Sequence, residues 1–369
     1  FNSGLRNIGV LVQKNAVSLT DQLAAMFPRK PGGGSYAQAL PPEGFEGRDS
    51  YCGTADAVWQ QIHHARGYDT VMIVSGDHII KADFAKFYDF HNEHYADLTI
   101  MAITTPVEDA KEFGVIEADS NNKILNFVEK PAQPREIPGR EGRSYCSMGI
   151  YCFKKKVLEA YLEADAKDPN SSHDFGKDIV PKMIADGRKV CAFPFSETSI
   201  KGEKPYWRDV GSIKAYWEEH MNFCSDDTDY TLYSEAWKIP PRDQATGPNK
   251  FANGVHLDHA KIHTGCILDR VEIIYSVLGS KVTARDGCKF VQSIIPSQVI
   301  AEHNCALHKT ILVSEPNLRS AQRLVLPAGT EIGVDHDHDK ERGFKVTEEG
   351  IVVVPFDWFR ENGQIINVR

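Results

Sequence analysis

The feature that most restricts this chain is a seventeen-residue repeat near its carboxyl end. Val271, Cys288 and Cys305 keep that step. So do Ile273, Phe290 and Leu307, the trio Val277, Ile294 and Ile311, and the pair Val282 and Val299. Within each turn the expected inward positions fall five or six residues apart. A chain that brings small apolar side chains back at such a period stacks them coil on coil, which predicts a parallel β-helix. Ordinary antiparallel strands would have to reproduce the threefold recurrence by chance. Gly287 and Asn304 hold equivalent turn positions, where left-handed backbone is cheap. Cys288 and Cys305 then read as small core residues, not nucleophiles.

The preceding residues have a different grammar. Ile8–Val12 reads as a strand and Ser18–Met26 as a helix. Gly32-Gly33-Gly34 lacks the spacing of a phosphate loop and a preceding strand, and reads as a plain loop. Tyr51–Val58 (YCGTADAV) puts a tight turn at Gly53 before a helix that Thr54 or Asp56 could cap. Such a helix start offers backbone N–H groups to an anion or a base edge, or is an ordinary capped helix. Val71–Val74 reads as a central strand of a parallel sheet that delivers Asp77 at its carboxyl end. Ligands of open α/β sheets gather there, and an aspartate at that place is either a Mg²⁺ ligand or a helix cap.

Leu98–Ile103, Ile124–Val128 and the stretch from Ser147 read as further strands. Gly114 could admit a flat ligand to the backbone. Glu129 and Lys130 close a strand, placed to take a sugar hydroxyl and a phosphate, or to form a surface ion pair. Asp209 precedes a helix from Ile213 to Met221. Alternating strands and helices give a doubly wound α/β domain. Two separated acids, a lysine and several glycines outline a metal-assisted phosphoryl or nucleotidyl transfer site.

Composition narrows the partners. A net charge of −9 argues against nucleic acid and means that an anionic substrate needs local cations or a metal. No apolar run reaches the ~18 residues of a membrane span, and no signal peptide is seen. Eight cysteines without a CxxC pair suit reduced thiols in a cytoplasm.

YCGTADAV at 51–58, SGDH at 75–78, EFGV at 112–115, FVEKP at 127–131, SMGIY at 147–151, DFGKDI at 174–179 and YWRDVG at 206–211 stand in order. Together they resemble bacterial ADP-glucose pyrophosphorylase, also called glucose-1-phosphate adenylyltransferase. The resemblance implies a doubly wound, Rossmann-like nucleotidyltransferase domain followed by a left-handed parallel β-helix. The expected bounds are 1–225 for catalysis, 226–253 for a linker and 254–369 for oligomerisation and regulation. It implies transfer of AMP from ATP to α-D-glucose 1-phosphate with Mg²⁺, for glycogen biosynthesis, by an allosteric cytoplasmic homotetramer. Carried over by position, Asp77 and Lys130 would be catalytic. Tyr51, Gly114, Glu129, Lys130 and Ser147 would contact the sugar phosphate, and Gly53, Thr54 and Ala55 the nucleotide. Asp77 and Asp209 would bind the metal, and Gln13 would carry regulatory communication.

The family's amino-terminal Gly-rich loop has no counterpart in the 369 residues, so the expectation is an amino-terminally incomplete copy with little activity as written. Rival expectations are a non-catalytic regulatory subunit and a relative that uses another nucleotide. A hexapeptide acyltransferase is argued against by the first domain. Asp335–Asp339 (DHDHD) could suggest a metal, but reads as a solvated polar loop.

Overall fold

The computed structural model describes all residues except 14–15, 28–33, 44–49, 201–202, 227–229, 231, 236, 238, 240–245, 316–317, 320 and 369. The Gly32–Gly33 part of the glycine loop and much of the expected linker therefore lie outside the described residues. The chain forms two compact units. One comprises Phe1–Gly76, Ile80–Trp207 and Ser234–Lys238; the other comprises Asp77–Ile79, Arg208–Tyr233 and Ile239–Arg369.

In the first unit, strand β1 (Asn7–Leu11), helix α1 (Val17–Met26) and strand β2 (Tyr36–Leu40) form a crossover, with β1 and β2 parallel. Helix α2 (Thr54–Gln61) leads to strand β3 (Thr70–Ile73). Next in sequence is β4 (His78–Lys81), whose first two residues belong to the second unit, and then come α3 (Phe84–Glu93), β5 (Leu98–Pro106), β6 (Gly114–Ala118), β7 (Ile124–Glu129) and β8 (Arg143–Lys154). Then follow α4 (Lys155–Ala166), α5 (Val180–Ala185) and β9 (Val190–Pro194). The main sheet runs β7-β6-β8-β5-β9, with β3 also on β8.

The expected position of β3 is corrected here. It pairs antiparallel with β8, as Met72 with Cys152, and ends at Ile73, short of Asp77. The strand that lies between neighbours is β8, since Phe153 pairs with both Val71 and Leu98. Exposure explains this: Ile150, Cys152 and Phe153 are fully buried, whereas every residue of β3 is half-buried.

Both faces of the sheet are covered, which is why Leu98–Ile103 is apolar without alternation. Leu98, Ile100 and Ala102 pack with Leu158 and Leu162 of α4 and Val180 and Met183 of α5. Met101 turns the other way, to Phe87 of α3, Ile150 and Phe193.

The second unit contains three ladders of short strands. The repeat is seen as register: Ile273 pairs with Phe290 and Phe290 with Leu307. Val271, Cys288, Cys305, Val282 and Val299 fill its core with those residues. Val277, Ile294 and Ile311 also stack, but Ile294 and Ile311 belong to a separate cluster. Their neighbours Leu278, Ile295 and Leu312 face the core instead, as strand alternation requires. The outward isoleucines pack with Ile213, Trp217 and Met221 of helix α6 (Ile213–Cys224), whose Trp217 indole donates to the Gln292 carbonyl at 2.8 Å.

Gly287 and Asn304 are left-handed, at φ of 80° and 59°. The DHDHD segment is not a loop. Asp335 caps helix α7 (His336–Glu341), accepting from the N–H groups of Asp337 and His338. Asp339 is fully buried, accepts from the Gly333 N–H at 2.8 Å and pairs with Arg342. Insertions before and around this helix delay the next coil, so that Thr310 pairs with Val352.

Candidate active site

Glu129 ends β7 directly opposite Gly114 of β6. A Cβ at Gly114 would lie 2.2 Å from the Phe127 ring and 2.8 Å from Glu129 Oε2, and one at Gly176 would lie 2.5 Å from the same oxygen. Two glycines thus make room for one carboxylate. The expectation that Gly114 opens the backbone to a flat ligand is corrected: the chain's own Phe127 and Glu129 occupy that space. Burial, then the nearby Asp174 charge, raises the Glu129 pKa, with Lys130 and Lys177 opposing. Lys130 is exposed and left-handed at φ 45°, and its N–H donates to the Phe113 carbonyl at 3.1 Å.

Ser147 is buried on β8, where its hydroxyl accepts from the Gly149 N–H at 3.2 Å and hydrogen-bonds Tyr151. The buried Tyr151 phenol is pushed well above its ordinary value, first by burial and further by the charges of Glu129 and Asp174. Sequence reasoning singled out neither Tyr151 nor Asp174 as a site residue, although both lie within the quoted SMGIY and DFGKDI motifs.

Asp174 joins this cluster to the GTA segment. Its carboxylate accepts from the N–H groups of Gly176 and Lys177 and from the Thr54 hydroxyl at 3.2 Å. Thr54 in turn accepts from the Phe175 N–H. Neither Thr54 nor Asp56 caps α2. The N-cap is Gly53, without a side-chain bond, and Asp56 instead takes the Cys52 N–H and Gln60. Nor is the helix start wholly free for an anion, because the Ala55 N–H donates to the His173 carbonyl at 2.8 Å.

Tyr51 is held from three sides. Its hydroxyl donates to the Leu40 carbonyl at 2.8 Å and accepts from Gln61 at 3.0 Å. Gln13 bonds both main-chain groups of Tyr51, accepting from its N–H at 3.2 Å and donating to its carbonyl at 3.4 Å. Gln13 and Tyr51, carried over separately, are therefore neighbours.

In the second unit the Val210 N–H donates to the Asp77 carbonyl at 3.0 Å, and this brings the two predicted acids together. Asp77, His78 and Asp209 offer ligand atoms all within 4.8 Å of one another. The donor set suits a hard divalent cation, since both carboxylates are exposed and oxygen-bearing. A Cβ at Gly211 would stand 3.1 Å from Asp209 Oδ1 and from Asp77 Oδ2, so that the glycine keeps the space between them clear. The ring of His78 is tucked away, and burial lowers its pKa against the pull of Asp77 and Asp209.

The chain is a nucleotidyltransferase, as comparison with known proteins shows. Residues 1–226 match the Nucleotidyl transferase family, and residues 248–354 match the hexapeptide domain described as GlmU-like, C-terminal. The ladders of the second unit are thus those of a left-handed β-helix. The glucose-1-phosphate adenylyltransferase of Aliivibrio fischeri (strain ATCC 700601 / ES114) is 36% identical over 96% of this chain and 87% of its own length. That of Dechloromonas aromatica (strain RCB) is 35% identical over 96% of this chain and 80% of its own length. The glucose-1-phosphate adenylyltransferase 2 of Alkalilimnicola ehrlichii is 36% identical over 97% and 84% respectively. The chain belongs to the nucleotidyl transferase family and, within it, to the glucose-1-phosphate adenylyltransferases.

Proposed function

We propose that the protein transfers AMP from ATP to α-D-glucose 1-phosphate, giving ADP-glucose and pyrophosphate for glycogen synthesis. The observation that carries the reading is the Glu129 carboxylate seated between Gly114 and Gly176, with Lys130 next to it in sequence. A half-buried acceptor beside an exposed cation matches a sugar hydroxyl beside a sugar phosphate.

In the reaction an oxygen of the sugar phosphate attacks the α-phosphorus of ATP. A new P–O bond forms there, the bond to the β-phosphate breaks, and pyrophosphate leaves. No covalent enzyme intermediate is required, so the residues act by positioning and by balancing charge. Glu129 accepts from a sugar hydroxyl, Lys130 holds the sugar phosphate, Tyr51 and Ser147 line the sugar side, and Gly114 contributes there by leaving room for Glu129. Gly53, Thr54 and Ala55 lie by the nucleotide. Asp77 and Asp209 hold Mg²⁺, which supplies neutralisation of phosphate oxygens when bound. The pair of hydrogen bonds between the Gln13 side chain and the Tyr51 main chain supports a role for Gln13 in coupling effector response to the sugar side.

We further propose a catalytic domain over 1–225, a linker over 226–253, and a domain over 254–369 that assembles homotetramers and serves regulation in the cytoplasm. Among the described residues no helix is long and apolar enough to cross a membrane.

The test is pyrophosphate release with each substrate omitted in turn, with ATP replaced by UTP or dTTP, and with the sugar product identified by mass. Release that needs ATP, glucose 1-phosphate and Mg²⁺ together, with ADP-glucose as product, is expected. Faster turnover with UTP or dTTP would refute the nucleotide assignment.

A further inference from the structure

Helix α2 runs into a short 3₁₀ turn, Ile62–Ala65, that carries two consecutive histidines. Consecutive residues of such a turn point about 120° apart, so their side chains ordinarily diverge. Here the His63 and His64 rings converge, with centroids 4.2 Å apart. Both Nε2 atoms face one oxygen of Glu43, which follows β2 closely, at 3.4 Å and 3.9 Å. All three donor atoms lie within 4.8 Å of one another.

We propose that Glu43, His63 and His64 bind a divalent transition-metal ion of the zinc class. Bonds of about 2.0–2.1 Å in a tetrahedral site put neighbouring donors roughly 3.3 Å apart. The observed separations need adjustments of an ångström or so, within the reach of side chains 40–54% exposed. Three protein ligands leave the fourth position to water. Two imidazole nitrogens and one carboxylate suit zinc, cobalt or nickel, whereas magnesium prefers an all-oxygen shell. The donor chemistry therefore differs from that of Asp77 and Asp209, and millimolar Mg²⁺ does not compete.

The position gives the ion a structural consequence. Gln61, two residues before His63, donates to the Pro41 carbonyl at 2.9 Å as well as to the Tyr51 hydroxyl. An ion held by Glu43 and the two histidines would join the same two segments a second time. It would thus reinforce the clamp on Tyr51 without touching substrate.

The test is a Co²⁺ titration of the whole protein in excess Mg²⁺, followed by the visible ligand-field bands, with Zn²⁺ as competitor. One Co²⁺ per chain is expected, displaced by Zn²⁺. His63→Ala and His64→Ala should each weaken binding by about tenfold or more, because a ligand is lost. Asp209→Asn should leave it unchanged. Zn²⁺ should also raise the melting temperature of the parent protein but not that of His63→Ala. Absence of Co²⁺ bands, their survival in both histidine variants, or their loss in Asp209→Asn would each overturn the assignment. Exposure of both histidines makes folded variants the expectation, and circular dichroism checks it.

Discussion

Gly53→Ala is the sharpest perturbation the first unit offers. Gly53 is extended at φ −179°, a conformation any residue adopts, so its need for glycine is not conformational. It is steric. A Cβ there would stand 2.3 Å from the His173 carbonyl oxygen and 2.7 Å from that of Ser172, where 3.0 Å is the practical limit. Both obstacles are main-chain atoms. The segment that carries them is pinned by Ala55 N–H to His173, by Thr54 to Asp174, by Ser172 to Asp178 at 2.6 Å and by His173 to Asp165 at 2.8 Å. It cannot retreat without losing some of these bonds. Overpacking of this kind costs about 1–3 kcal/mol. Loss of the Ala55 bond adds about 1 kcal/mol. The sum, about 2–4 kcal/mol, lowers the melting temperature of a unit this size by roughly 5–15 °C. Gly76→Ala is the control, since nothing stands within 4 Å of its Cβ and its φ is not in the left-handed range. It should be neutral or stabilising by up to about 1 kcal/mol. Calorimetry reads the magnitude, and hydrogen exchange over residues 52–58 and 172–178 reads the location. A Gly53→Ala transition within about 1 °C of the parent, with unchanged exchange, would refute the reasoning.

Other perturbations separate the roles of the remaining residues. Lys130→Ala should raise the KM for glucose 1-phosphate about tenfold or more, the worth of one charged hydrogen bond, with the KM for ATP nearly unchanged; equal rises would contradict a sugar-phosphate role. Asp77→Asn should cut Mg²⁺-dependent turnover by roughly a hundredfold or more, and undiminished turnover would remove it from the metal pair. Because burial raises the Glu129 pKa, the native state favours the protonated form. Its stabilising contribution is therefore present in acid and lost as the pH rises through the raised pKa. Glu129→Gln should melt higher than the parent at neutral pH, and the gain should shrink as the pH falls toward the ordinary value of 4.5, while sugar-phosphate binding weakens. A stability gain independent of pH would argue against that origin. Phe290→Ala empties a fully buried place between Ile273 and Leu307 and should lower the second unit's stability by about 3–5 kcal/mol in calorimetry; no change would refute the stacking.

The β-helix was legible because its constraint is periodic and local. A coil that must return a side chain to the same place writes its period into the chain, and Val271, Cys288 and Cys305 carry it. Which neighbour turns inward was less legible. Ile294 and Ile295 are equally apolar, and only the cover from α6 explains an apolar residue on the outer face. The corners were legible only in part. Gly287 and Asn304 announce left-handed backbone, but Tyr275, Gln292 and Lys309 adopt it too, at φ of 45° to 50°. Nothing in those side chains signals it. The closing geometry of the coil imposes it.

The candidate site divides along the same line. Asp77, Asp209, Glu129 and Lys130 stand out in the sequence because charge beside a strand end invites a catalytic reading and because they sit in recognisable motifs. What surrounds them could not, because it depends on contacts between distant segments. Gly114 invited the reading that a ligand approaches it, since a missing side chain looks like open space in a sequence. Gly176, far along the chain, shows the other possibility: both glycines are vacancies that Glu129 fills. Glu43, His63 and His64 make the case from the other side. Each is unremarkable at its own position, and adjacent histidines on a helical turn are expected to diverge. Only the fold turns them toward one carboxylate oxygen, so a donor set invisible in the order of residues becomes a specific, testable chemistry.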